Sequence, residues 1–205
     1  MELINKVAKI IFLTGVFFIP FNSFDGIPLL GEYRNEAAAF FFIFGFLLIS
    51  LNGFNNKISV PYKNLIFRVV ILFVIWCFIS TLLNSYNVSQ SYFKQTGGIN
   101  RFIRQYFSLI LSSIIFFLFY WNVLLKMGVK EILIIIRKVF LASLIVAFIY
   151  GFLETMIVVF EVSFITPIIG LFNYFPFLHV KVFGDRISSI SYEAPFLAIY
   201  LITIS

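Results

Sequence analysis

Residues 65–83 read LIFRVVILFVIWCFISTLL, and this run decides the fold class. Its only formal charge is Arg68, close to one end. A hydrocarbon layer is about 30 Å thick and an α-helix rises about 1.5 Å per residue, so roughly 20 apolar residues carry a helix across it. In a helix every backbone N–H and C=O finds its partner inside the segment, which lipid requires. Working outward from that run, comparable stretches occupy residues 7–21, 37–51, 106–125 and 132–160, and another opens at Ala194. The expected fold is all-α: a polytopic transmembrane helical bundle of five to six spans, forming one membrane domain over residues 1–205. A last helix covering only residues 194–205 is too short to cross, so the parent chain is expected to continue.

The rest of the chain agrees with that expectation. Hydrophobic residues make up 61% and charged residues 12%, whereas ordinary soluble domains carry about 25% charge. The mean hydropathy is +1.04, so lipid is the solvent this composition suits. Thirty phenylalanines and ten tyrosines fit bulky packing and interfacial anchoring. The net charge of +6 is split into small groups between apolar runs. That pattern speaks for membrane topology and against nucleic acid as a partner. With Cys77 as the sole cysteine, no intrachain disulfide can form.

The amino terminus has Lys6 and Lys9 ahead of apolar residues but no small-x-small cleavage site after them, as expected of a retained first helix. Alternating the spans puts Lys6, Lys9, Lys57, Lys63, Arg68, Lys126, Lys130, Arg137 and Lys138 on the starting side. Arg34, Lys94, Arg101, Arg104, Lys181 and Arg186 fall on the other side. Basic residues favour the cytoplasm, so the amino terminus is expected inside. The uncharged stretch Val162 to Val180 is interrupted by Pro167, Gly170 and Pro176. A re-entrant or interfacial segment is expected there, because proline removes a backbone donor and crowds the preceding turn. Asn84 to Gln105 is the longest polar loop, with Gly97-Gly98 marking a turn or flexible point.

Nucleotide-cradling and zinc-binding motifs are missing: there is no GxxxxGK[ST], GxGxxG, CxxC or HExxH. Asp25 and Asp185 are the only aspartates, so the close Asp pair that holds a metal in many nucleotide-sugar transferases is not present, and no metal or cofactor is expected. The informative stretch is residues 184–201, GDRISSISYEAPFLAIYL. An arginine, a small polar link, an acid and a proline lead there into an apolar helix. Arg186, Ser188, Ser189, Glu193, Pro195 and Ala198 resemble the signature of the O-antigen polymerase and ligase family of bacterial membrane proteins. Ala194 stands between Glu193 and Pro195, which the commoner form of the signature has adjacent.

The resemblance implies glycosyl transfer at the outer face of the bacterial cytoplasmic membrane. The donor would be an undecaprenyl-pyrophosphate-linked glycan, the acceptor a glycan hydroxyl, and a chain-length regulator a further partner. Arg186 would bind the departing pyrophosphate, since a guanidinium offers two parallel hydrogen bonds and stays protonated. Glu193 would orient or deprotonate the attacking hydroxyl. Plainer roles exist for both: Arg186 can reach lipid headgroups, and Glu193 suits a helix amino terminus. Arg101 and Arg104 lie three residues apart and would share a helix face as a second contact for pyrophosphate or glycan, with interfacial anchoring as the alternative. Glu154 lies sixteen residues beyond Lys138, about 24 Å along a helix, towards the far boundary. His179, the one histidine, suits a structural role among its aromatic neighbours. A lipid-linked oligosaccharide flippase and a noncatalytic membrane subunit are the rival classes.

Overall fold

A computed structural model of the chain describes residues 2–21, 36–53, 58–93, 96–124, 127–172 and 174–175. These are helical throughout apart from turns, short connections and a two-residue antiparallel ribbon. The helices are α1 (Glu2–Phe17), α2 (Ala37–Gly53), α3 (Leu65–Leu83), α4 (Ser85–Gln90), α5 (Gly98–Ile110), α6 (Phe116–Val123), α7 (Val129–Val158) and α8 (Thr166–Phe172). A π-helical turn, Leu111–Ile115, joins α5 to α6, and a 3-10 turn, Ser163–Ile165, precedes α8. Strands β1 (Tyr92–Phe93) and β2 (Thr96–Gly97) form the ribbon.

Among the described residues, three helices are long and apolar enough to cross a membrane: Leu65–Leu83, Gly98–Val123 and Val129–Val158. The chain is therefore a membrane protein by length and composition. Its α3 shows why lipid must be the solvent. Phe67 and Val74 alone are buried on it, while Leu65, Ile66, Val69, Leu72, Phe73, Trp76 and Leu82 are exposed around its circumference. A helix apolar on all sides is stable only inside protein or inside a bilayer.

The chain divides into two compact units. In the first, Met1–Lys9, Ile27–Arg34 and Phe42–Lys126, α3 lies antiparallel to the continuous α5–π–α6 helix. The pairing can be followed from end to end. Asn122 Nδ2 donates to the Ser59 carbonyl at 3.1 Å, and the Ser59 N–H donates to Asn122 Oδ1 at 3.0 Å. The rings of Phe67 and Phe117 lie 5.3 Å apart. Tyr106 Oη donates to the Val74 carbonyl at 3.2 Å, and Phe78 meets the Tyr106 ring at 5.5 Å. Asn64 caps α3 by accepting the Phe67 N–H at 3.2 Å.

The second unit holds Ile10–Gly26, Asn35–Phe41 and Met127–Ser205. Within it the end of α1 and the start of α2 run antiparallel: the Ala37 N–H donates to the Phe21 carbonyl at 3.1 Å, and Phe18 stacks on Phe41 at 5.2 Å. Ala37, Ala38 and Ala39 are buried, small side chains that let backbones approach closely. Against α1 packs α7, where the fully buried Ser143 hydroxyl donates to the Phe17 carbonyl at 2.7 Å.

Some boundaries differ from expectation. The first helix covers Glu2–Phe17 and ends before the expected residue 21, because Pro20 cannot donate and disfavours helix in the residue before it. The fourth begins at Gly98, eight residues before the expected Tyr106. Hydropathy marked the apolar centre of that helix and missed its polar first turns. At 17 residues α2 is a shorter apolar helix than the three that meet the spanning length. The Val162–Val180 stretch begins with the 3-10 turn and the seven-residue α8, and Phe172 meets Tyr150 edge-on at 5.3 Å, two turns back from the end of α7. Glu161, at φ 55°, makes the reversal between them. The expected helix from Ala194 lies outside the described residues.

Candidate functional site

At the α3–α5 turn, local chemistry fixes where the two predicted arginines sit. The Ser91 hydroxyl donates to the Val88 carbonyl at 2.7 Å, and the Gly98 N–H donates to the Ser91 carbonyl at 2.9 Å. A Cβ on Gly98 would stand 1.9 Å from the Val88 carbonyl oxygen, so only glycine allows α4 and the start of α5 to meet this closely. From that anchored start, α5 is strongly amphipathic. Asn100, Arg101, Arg104, Gln105 and Ser108 follow one face at helical spacing. Phe102 and Tyr106 lie on the opposite face, their rings 5.3 Å apart, and Tyr106 bonds to α3.

Arg101 and Arg104 thus share a face, with Arg101 half-buried and Arg104 exposed. Arg101, Gln105 and Ser108 each have interaction partners. Below them the helix enters its apolar part through the π turn. There the Ser112 hydroxyl donates to the Leu109 carbonyl at 3.3 Å, and the Ser113 hydroxyl donates to the same oxygen. Back-bonding of this kind satisfies a hydroxyl inside lipid, and π turns recur at functional positions in helices. A polar row therefore descends from Arg101 to Ser112, about 16 Å along the axis. Gln105, Ser108 and the π turn were missed from sequence. The spacing of 101, 104, 105 and 108 was visible, but it carries meaning only once the helix is known to begin at Gly98.

A second polar feature lies on α7, in the other unit. Ser143, Ala147, Tyr150 and Glu154 form its buried stripe, and Glu154 has no exposed surface. Sequence placed Glu154 near the far boundary, about 24 Å beyond Lys138. Complete burial is a tertiary result. One turn earlier stands Tyr150, whose buried hydroxyl has no hydrogen-bond partner among the described residues. Glu154 does have an interaction partner.

Arg186 and Glu193, the residues singled out for catalysis, lie outside the described residues, as does His179. Among the described residues no three His, Cys, Asp or Glu side chains gather as a metal site would require. No protein-family model matches the chain. Neither the curated proteins nor the solved structures provide a match.

Proposed function

We propose that the chain is part of a multi-spanning glycosyltransferase that joins lipid-linked oligosaccharide units at the outer face of a bacterial cytoplasmic membrane. The observation that carries this reading is the stretch 184–201, where Arg186, Ser188, Ser189, Glu193 and Pro195 resemble the O-antigen polymerase and ligase signature, with Ala194 interposed between the acid and the proline. Two structural features support it. The first is the direction of the helices. A groove between α1 and α7 runs back from the Ser143–Phe17 bond to Ile10 on one helix and Lys138 on the other, so the two helices point the same way. In a bilayer that parity needs an odd number of crossings between them, and α2, α3 and α5–α6 would make three. With the amino terminus inside, the alternation of spans expected from the sequence would put Arg101, Arg104 and Arg186 on the outer side.

The second feature is the polar row on α5. The two guanidiniums at its head suit a ligand with a concentrated anion. In the proposed reaction Arg186 holds the departing pyrophosphate, Glu193 takes the proton of the acceptor hydroxyl, and Arg101 and Arg104 bind the glycan-pyrophosphate donor. The new glycosidic bond forms as the bond from sugar to pyrophosphate breaks.

The test is the length ladder of surface glycan in a deletion strain complemented with wild type, Arg186→Ala or Arg101→Ala/Arg104→Ala, with membrane abundance matched. Loss of one charge-stabilising donor slows such transfers by about 10²–10³-fold, so Arg186→Ala should lose long chains while still displaying single units outside. An unchanged ladder would remove Arg186 from the mechanism. Units trapped inside would favour a flippase.

A further inference from the structure

The groove between α1 and α7 has no part in that reaction, and its walls are not arranged for a soluble ligand. On α1 it is lined by Ile10, Leu13, Thr14 and Phe17, at the i, i+3, i+4, i+7 positions of one face. Val139 and Ala142 line it from α7, and its volume is about 420 Å³. The Thr14 hydroxyl donates to the Ile10 carbonyl of its own helix at 2.9 Å, so even this side chain makes no polar demand on an occupant. The single charge in the lining is Lys138.

We propose that this groove holds an anionic phospholipid of the surrounding leaflet, with an acyl chain along the Ile10–Phe17 face and its phosphate on the Lys138 ammonium. The shape and the charge argue for one occupant. An apolar trough on a lipid-facing surface takes a hydrocarbon chain, and each buried methylene adds to retention. A lysine at the membrane boundary keeps its ammonium among headgroups while its stem lies along apolar surface. Attraction between one lysine and an anionic headgroup favours that lipid over a zwitterionic one by about fivefold. The site lies at the opposite side of the proposed membrane arrangement from Arg186, and it does not depend on the transferase reading.

Native mass spectrometry of the full-length protein in detergent, with phosphatidylglycerol, phosphatidylcholine or undecaprenyl phosphate added, tests the proposal. Phosphatidylglycerol should be retained about fivefold more than phosphatidylcholine. Lys138→Gln should abolish the preference and Lys138→Arg should keep it. Ala142→Phe, which fills the trough, should lower retention of both phospholipids. Lys130→Gln, on the same helix outside the lining, should change nothing. Equal retention in the wild type, a preference that survives Lys138→Gln, an equal loss with Lys130→Gln, or stronger retention of undecaprenyl phosphate would each overturn it. Exposed positions 138 and 142 can be changed without touching the buried stripe, and unchanged far-UV circular dichroism verifies this.

Discussion

Adding one methyl group at Gly98 should damage this protein far more than adding it at Gly97. A Cβ at position 98 would lie 1.9 Å from the Val88 carbonyl oxygen and 2.2 Å from Ser91 Oγ, while at position 97 it would meet nothing within 4 Å. The obstacle at 98 includes backbone, so rotating a side chain does not clear it. Either α4 moves away from α5, or α5 starts later. Both routes stretch the 2.9 Å bond from the Gly98 N–H to the Ser91 carbonyl. Overpacking costs about 1–3 kcal/mol and a lost hydrogen bond about 1 kcal/mol, giving about 2–4 kcal/mol for Gly98→Ala. Gly97, at φ −67° and ψ 146°, already has a conformation that alanine adopts. Its replacement should therefore stay within about 1 kcal/mol, since a weaker amino-terminal cap and a less flexible unfolded chain offset each other. Reversible unfolding of the purified protein in mixed micelles, followed by far-UV circular dichroism, measures both. Equal stability of Gly98→Ala and wild type would refute the close approach of α4 to α5, and so would an equal loss for Gly97→Ala.

Two further outcomes are expected. Tyr150→Phe removes a buried hydroxyl that has no partner among the described residues, so it should leave stability unchanged or raise it by up to about 1 kcal/mol in the same unfolding assay; a loss above about 1 kcal/mol would mean the hydroxyl is bonded. Burial pushes the Glu36 carboxyl up from 4.5 to about 7. The folded protein then holds a proton there that the unfolded chain releases, so this group's contribution to stability is greatest below pH 4.5 and falls as pH rises towards about 7. Glu36→Gln should flatten the fall in denaturation midpoints across that interval, and an unaltered slope would assign it to other groups.

Where polar residues flank an apolar run, its ends could be read directly. Helix α3 spans the expected residues because Asn64 caps its start and Asn84 closes its end. Hydropathy alone misjudged the end of α1 and the start of α5. Pro20 stops α1 through a steric rule that an apolar count ignores, and Gly98–Gln105 are too polar to register as span although they continue the same helix. Of the candidate site, the shared face of Arg101 and Arg104 followed from their spacing, whereas Gln105 and Ser108 joined it only when the helix start was known. Glu154 could be placed by its distance from Lys138. Its complete burial beside Tyr150 depends on α7 packing in three dimensions, and Phe172 returns to cover that tyrosine after a reversal at Glu161 that no local propensity announces.

The length of α7 ties the protein to the thickness of its membrane. Its 30 residues extend about 45 Å. With Lys138 held among headgroups on one side, Glu154 stands about 24 Å away, roughly 6 Å inside the far edge of a hydrocarbon layer about 30 Å thick. A bilayer thinner by that amount brings the acid level with the interface while Tyr150 stays about 6 Å inside, and a thicker one sinks both or tilts the helix. The buried stripe of α7 is thus also a gauge of lipid chain length, and the host's fatty-acid composition sets the depth at which its buried carboxyl comes to rest.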